Sequence, residues 1–529
     1  MSSKATQRIA KGARSVSIAV LASRLLGLVR EQVLAGLFGA GFQMDAYVVA
    51  YRIPNLLRDL LAEGAFASSF VTVFSHTREK EGLEATWKLA SRALSCLLVI
   101  VLGITLLGEL AAPHLVSLLA PGFSANPQKA ALATTLTRIM FPFLVMISLS
   151  AVFGGMLNTF GVFFLPAISS AFFNLVSVAV GVFFYFVFKA RGLPEIMGMA
   201  VGVVLGGAAQ AFIQVPKLRR LGFRFTFSPL FSDPKVREIF RLMAPMVVGL
   251  SAIQLNIFIN TYFASLCEEG AVSWLSYAFR VMYVPLGLFG VALSVAILPV
   301  TSAQVARGNF EDLKRTYVSC LLMGLSLALP SALGLIILSQ PIVRLLFERG
   351  QFSPHDTLNT SLALTFFSLS LPAYAVTKIT APVFYALRRP KVPMLSSFLS
   401  VGINALTVLL LIQVWGFRAV ALGMALGIIS QALFQVGVLY FVLQGFSWRR
   451  LLGGGGRIFL CTGAMSLLAW YGRGLLAKFS GISFALGLLG LIALCALIYF
   501  ALARFLAPKE ALYLLESLRT RRQTKPAQD

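Results

Sequence analysis

Charge is scarce in this chain. Only 12% of its 529 residues are Asp, Glu, Lys or Arg, where a soluble globular chain carries about 25%. Acids are scarcest, 20 against 45 Lys and Arg, and 58% of the residues are apolar. That balance excludes a disordered chain and a large cytosolic enzyme. Histidine is almost missing: His76, His114 and His355 lie far apart and offer no metal-ligand spacing. The five cysteines, Cys96, Cys267, Cys320, Cys461 and Cys495, contain no C-x-x-C pair and read as small buried hydrophobes. No G-x-x-x-x-G-K-[ST] phosphate loop occurs; the GGGG at 453–456 runs into Arg457 and reads as a linker. No acidic pair or histidine cluster has acid/base or metal spacing, so neither a transferase nor a phosphatase is expected. The basic start, MSSKATQRIAKGARS, leads into a long helix and not into a short apolar region with a cleavage site, so no cleaved signal peptide is expected.

What is present is apolar sequence in long runs. A spanning helix needs about 20 mostly apolar residues. Breaks at charge, Pro and Gly clusters place helices near 14–38, 45–75, 90–119, 131–158, 163–188 and 196–217. A second set follows near 236–265, 271–303, 314–339, 358–387, 393–414 and 418–444, with two more near 458–475 and 482–506. The reading is an all-α polytopic membrane protein of about fourteen helices. A basic excess would suggest nucleic acid in a soluble protein. Here it falls in alternate loops, Arg78 to Arg92, Lys217 to Arg241, Arg307 to Arg315, Arg388 to Lys391 and Arg449 to Arg457, and in the tail beyond Arg519. The positive-inside rule then puts both termini in the cytoplasm and predicts no nucleic-acid partner. The loop with Arg344 and Arg349 departs from the alternation, and its apolar spacing predicts a helix on the outer surface.

The chain also repeats. Ala50-Tyr51-Arg52 recurs as Ala278-Phe279-Arg280, and Pro166-Ala-Ile-Ser169-Ser170 recurs as Pro393-Met-Leu-Ser396-Ser397, at offsets of 228 and 227 residues. Six helices per repeat keep both copies in one orientation, so the lobes are expected to be related by a pseudo-two-fold along the membrane normal, around a cavity. This gives an N-lobe over 1–230, a C-lobe over 231–446, and helices 13 and 14 with a cytoplasmic tail over 447–529.

Cations inside the apolar runs need a reason, since one at the centre of a spanning helix costs about 2.5–3.5 kcal/mol on insertion scales. Arg24, Arg30 and Glu31 lie in helix 1, and Arg52, Arg58, Asp59 and Glu63 in helix 2. The seven-residue spacings Arg24–Glu31 and Arg52–Asp59 put each pair on nearly one helix face, which suits structural ion pairs. Pro54 predicts a kink in helix 2, and Asp45 suits a cap of that helix or an outer gate. Arg280 has no acid near it in sequence between Glu269 and Glu311. Arginine's planar donor fork suits phosphate oxygens, so the expected cargo is an anionic phosphate or pyrophosphate on an amphipathic carrier. A cation-coupled drug exporter would carry carboxylates instead. Asn256, Asn260 and Asn404 are the weak polar candidates for an ion, with interhelical hydrogen bonding as their ordinary role.

SRLLGLVRE at 23–31, FGAGFQMDAYVVAYRIPNLLRDLLAEGAFASSFV at 38–71, WLSYAFRVMYVPLGLFG at 274–290 and LFERGQF at 346–352 resemble the MurJ (MviN) family of bacterial lipid II flippases. That family belongs to the multidrug/oligosaccharidyl-lipid/polysaccharide exporter superfamily. The resemblance implies fourteen helices, inward-open and outward-open states, and a groove with helices 13 and 14 for an undecaprenyl tail. It assigns essential cations to Arg24, Arg30, Arg58 and Arg280, an outer-gate acid to Asp45, and Glu31 in place of an Asp. Asn260 stands where some members have a sodium-site acid, and Asn404 has no acidic partner, which leaves sodium coupling without its carboxylates. The implied function is movement of lipid II across the bacterial cytoplasmic membrane by a transporter without cofactor, driven by membrane potential. Membrane lipids and cell-wall synthesis proteins are the further partners expected. Three alternatives stay open: a flippase for another undecaprenyl-linked oligosaccharide, a cation-coupled exporter, and a scaffold for cell-wall synthesis.

Overall fold

The computed structural model describes residues 3–476 and 478–506, without the side chains of 3–17, 61–63, 248, 288–292 and 295–296. Among the described residues there are helices and no strand. Packing divides the chain into two units. The first comprises Met1–Ser273 and Arg349–Phe352, and the second Trp274–Glu348 and Ser353–Asp529. This division groups residues by contact, whereas the three-part sequence division groups them by recurrence, and the two draw their boundaries at different places.

The first unit starts with α1 (Ser3–Phe38) and α2 (Phe42–Leu57). Pro54 does not end α2; after Leu57 the helix widens into a π-helix, Arg58–Phe66, and continues as α3 (Ala67–Leu119). Gly82 breaks α3 at φ 82° and ψ −175°, which separates the two spans the sequence expects within 45–119. Next come α4 (Pro127–Met140), α5 (Phe143–Thr159), α6 (Phe164–Ala190), α7 (Ile196–Phe212), α8 (Val215–Arg220) and α9 (Pro234–Ser265). The core is aromatic: Phe66, Phe70 and Phe74 stack in a row that ends on Trp87 and Phe160.

The second unit holds most of α10 (Ala271–Ala306), then α11 (Phe310–Ile337), α12 (Ser339–Phe347), α13 (Pro354–Ser368), α14 (Leu371–Ala386), α15 (Lys391–Trp415), α16 (Phe417–Val442), α17 (Trp448–Leu476) and α18 (Gly481–Leu506). The short helix expected around Arg344 is α12, which buries Pro341, Val343 and Phe347. The expected linker at 453–456 is a correction: these glycines lie inside α17. Close packing accounts for one of them, since a Cβ on Gly454 would stand 2.7 Å from the Leu322 side chain, while one on Gly453, Gly455 or Gly456 would meet nothing within 4 Å. Nine described helices, or eleven if each of two bent pairs is one span, are long and apolar enough to cross a membrane. The fourteen read from sequence exceed that count. One reason is that 42–119 is counted as one stretch, although Gly82 divides it into the two spans the sequence expects.

The repeat has a packing counterpart inside each unit. Gly202-x3-Gly206-x3-Gln210 on α7 recurs as Gly423-x3-Gly427-x3-Gln431 on α16. A Cβ on Gly202 or Gly206 would stand 2.4 Å from the Ser177 carbonyl oxygen or 2.8 Å from that of Phe173 on α6. On Gly423 or Gly427 it would stand 3.0 Å from the Asn404 carbonyl oxygen or 2.6 Å from that of Ser400 on α15. Phe173 and Ser400, like Ser177 and Asn404, are 227 apart, the sequence repeat's own offset. Each unit therefore docks one helix on its neighbour by the same small-residue seam.

Candidate functional site

Helix α1 is fixed to α6 near its middle, where Asn174 Nδ2 donates to the Ser23 carbonyl oxygen at 3.2 Å and Gly27 lies against the same amide. This anchor sets the direction of Arg24 and Arg30. Arg30 turns inward: it is 6% exposed, and its Nη2 lies 3.0 Å from Glu31 Oε1. Its guanidinium also sits 5.3 Å from the Phe173 ring centroid and 5.7 Å from that of Tyr51. Arg24 is exposed and has no hydrogen bond or ion pair among the described residues. Ile18, Leu21, Leu25 and Val29 form an exposed apolar stripe on α1. Exposed Val20 and Leu21 precede Arg24 by four and three residues, so at 3.6 residues per turn its charge lies on the exposed face of α1 beside apolar side chains.

The expected Arg24–Glu31 and Arg52–Asp59 pairs are corrected by the structure. Each acid closes on the arginine beside it, Glu31 on Arg30 and Asp59 on Arg58. Seven residues separate the expected partners by about 10.5 Å of helix rise, so an adjacent arginine that folds back reaches the carboxylate first. Arg58 donates through Nε and Nη2 to Asp59 Oδ1, at 2.9 and 2.7 Å, and Gln254 Nε2 on α9 lies 3.4 Å from Asp59 Oδ2. Neither member is sealed in; their side chains are 25% and 36% exposed. Arg52 instead donates to Thr261 Oγ1 on α9, a hydroxyl that donates onward to the Ile257 carbonyl oxygen at 2.6 Å. Arg58 and Asp59 open the π-helix, whose extra residue per turn re-aims side chains and marks functional positions more often than regular helix does. The Glu63 side chain lies outside the described residues.

Asp45 does something the sequence reading did not contain. It does not cap α2, whose N-cap Gly41 has no side-chain bond. It is 1% exposed and accepts from Lys129 Nζ at 2.7 Å, from the backbone N–H groups of Gly270 at 2.8 Å and Ser273 at 3.0 Å, and from Ser273 Oγ at 2.6 Å. A carboxylate on the first turn of α2 thus caps the start of α10. In return Glu269 Oε1, just before α10, accepts from the Phe42 N–H that opens α2, at 3.0 Å. The caps are reciprocal. Lys129, Thr261, Glu269 and Ser273 were missed by sequence reasoning. The repeat offset alone could have found Ser273, which stands 228 residues from Asp45.

In the second unit Arg280 is half-buried on α10, next to Phe279, which packs on the rings of Tyr283 and Phe367. Asn404 is fully buried under Gly423, where it serves the α15–α16 seam. Asn256 and Asn260 are half-buried on α9. Among the described residues no group of three or more His, Cys, Asp or Glu stands at metal-ligating geometry.

Residues 34–513 match the family model described as lipid II flippase MurJ. The chain belongs to the MurJ lipid II flippase family. It is 36% identical over 394 residues to a probable lipid II flippase MurJ of Rhizobium meliloti, covering 74% of this chain and 73% of that one. To the Vibrio cholerae protein of the same description it is 34% identical over 442 residues, or 82% and 83% of the two chains. Among solved structures, a lipid II flippase MurJ in an inward closed conformation superposes with a TM-score of 0.75 at 26% identity, covering 95% of this chain and 99% of that one. An inward-facing multidrug-resistance MATE transporter of the MOP superfamily superposes at 0.65 with 14% identity, covering 80% and 94%, and shares the fold. MurJ proteins are multi-pass membrane transporters and not enzymes. The MurJ family match begins at residue 34 and does not reach Arg24, Arg30 or Glu31.

Proposed function

We propose that the protein moves lipid II, the undecaprenyl-pyrophosphate-linked peptidoglycan precursor, from the inner to the outer leaflet of the bacterial cytoplasmic membrane by alternating access, with both termini cytoplasmic. Family membership supports the substrate, and the arrangement of arginines supports how it is held. The observation that carries the reading is Arg24, an arginine within an apolar helix, exposed and with no hydrogen bond or ion pair among the described residues. A guanidinium in that setting suits two phosphate oxygens at once. Arg52 and Arg58, each steadied by a polar partner and still partly exposed, add cationic donors within the first unit. Arg30, sealed with Glu31 against two rings, orients α1 and does not touch the cargo.

Membrane potential is the proposed energy source. An outside-positive potential favours outward movement of an anionic cargo, or the inward return of an empty cationic site, and one charge across 100 mV is worth about 2.3 kcal/mol. Complementation tests the whole reading. In a strain depleted of its own lipid II flippase the protein is expected to restore growth, and Arg24→Ala to abolish it at equal membrane abundance. Normal growth with Arg24→Ala and Arg280→Ala together would overturn the reading and leave a scaffold.

A further inference from the structure

The second unit carries a cavity of about 620 Å³ between α12, the end of α17 and the start of α18. It is within the roughly 300–1,000 Å³ of small-molecule sites. Its wall is aromatic and apolar except for Gln340 and two arginines. The Arg344 guanidinium lies 4.6 Å over the Phe484 ring, with Nε 3.4 Å from Glu348 Oε1. These contacts fix its plane, and its two terminal nitrogens make no hydrogen bond among the described residues. Arg473 reaches the Ile337 carbonyl oxygen at 3.4 Å and Gln340 Oε1 at 3.3 Å, bonds long enough to aim the fork without saturating it. Trp470 and Tyr471, 60% and 67% exposed, stand at the rim, where amphipathic rings settle at a membrane–water boundary. Beyond them Leu467 and Leu475 on α17 and Leu486 on α18 present exposed apolar surface.

We propose that this cavity binds the phosphodiester headgroup of an anionic phospholipid. Arg344 and Arg473 donate to the phosphate oxygens, and the acyl chains lie along the exposed leucines of α17 and α18. The charge balance selects a phosphodiester. Glu348 offsets one of the two guanidiniums, and the single remaining positive charge matches a monoanion and not a phosphate dianion. Continuity with exposed leucines selects a lipid over a free anion, and no cation assigned to the cargo lines this cavity.

Trp470 makes the site readable. The full-length protein is reconstituted in phosphatidylcholine vesicles containing increasing fractions of brominated phosphatidylglycerol or of brominated phosphatidylcholine. The Trp470 signal is the difference from Trp470→Phe. Half-quenching is expected at an about fivefold lower fraction of the anionic lipid, the preference of one surface arginine for an acidic lipid. Arg473→Gln, Arg344→Gln and their combination should bring the two curves together, and either single variant suffices where the double does not insert. Coincident curves in the parent protein, or a separation that survives both single variants, would overturn the site. Millimolar inorganic phosphate should leave the separation in place; its collapse would reassign the cavity to a free anion and overturn the lipid.

Discussion

An arginine inside an apolar helix is tolerated when its fork is filled, and the fillings here differ from one arginine to the next. Arg30 has Glu31 and two rings, Arg58 has Asp59, and Arg24 has no such partner among the described residues. Arg24→Lys keeps the charge and loses the bidentate fork, while Arg24→Ala loses both. A charge-assisted hydrogen bond is worth about 1.5–3 kcal/mol, so lipid II translocation by purified protein should fall about tenfold or more in Arg24→Ala and less in Arg24→Lys. Equal rates for parent and Ala variant would remove Arg24 from cargo binding. Asp45 calls for a different measurement, because its role is packing as well as charge. Taking away one member of a buried ion pair costs about 3–5 kcal/mol, since the survivor stays buried and unpaired. Thermal unfolding should show Asp45→Asn and Lys129→Met each strongly destabilised, and the double variant less destabilised than the sum. Additive losses would mean that the 2.7 Å pair does not couple them. Arg24 was legible as a charge out of place; the fate of Glu31 and Asp59 was not. Spacing along a helix predicts which face a group lies on but not whether the neighbouring side chain folds back to meet it.

At the scale of elements, glycine decides more than the sequence reading allowed. Gly350, at φ 58°, lies where LFERGQF crosses the end of α1; a Cβ there would stand 2.1 Å from the Gly36 carbonyl oxygen, and Gln351 N–H donates to that same oxygen at 2.9 Å. Gly350→Ala therefore meets rigid backbone and a left-handed conformation together. Overpacking costs about 1–3 kcal/mol, and φ strain adds to it. A melting temperature within error of the parent would show that the strap does not hold α1. The GGGG of α17 misled for a related reason, since four glycines weaken a helix in isolation, yet one of them is demanded by Leu322. Outside the apolar runs, Asp233 caps α9 and takes Arg92 Nη1 at 2.5 Å. Burial pushes its carboxyl up, but the Arg92 hydrogen bond and the Lys235 and Val236 N–H groups outweigh that and hold it below the usual carboxylate range. A depressed folded pKa means stability present above the unfolded value, about 3.9, and lost as pH falls through the lower folded value. Asp233→Asn should then cost the same stability at pH 5 and pH 8, with the difference shrinking below pH about 4. A cost that changes between pH 5 and pH 8 would contradict the depressed value.

For the whole molecule, the repeat was the most legible property, because an offset is arithmetic on the sequence and needs no geometry. Two short matches near 227 residues announced it, and the glycine seams Gly202–Gly206 and Gly423–Gly427 carry it into packing. Helix boundaries were legible where backbone breaks coincide with loss of hydropathy, as at Gly82, which divides 42–119 between the two spans the sequence expects. The reciprocal caps of α2 and α10 could not be read at all, since they join positions more than 220 residues apart and depend on where each helix starts. Energy coupling also belongs at this scale. The polar groups on α9 and α15 singled out for an ion are the amides Asn256, Asn260 and Asn404, and Asn404 is committed to its seam. Amides replace the carboxylates a sodium site needs for charge balance, and the cargo itself carries charge. In vesicles containing lipid II, removing sodium should therefore leave translocation unchanged. Imposing a 100 mV potential should change the rate by up to about 50-fold relative to none if one net charge crosses in the slow step. Translocation that stops without sodium and ignores the potential would place the driving force in a cation site formed without carboxylates, and would overturn the electrical one.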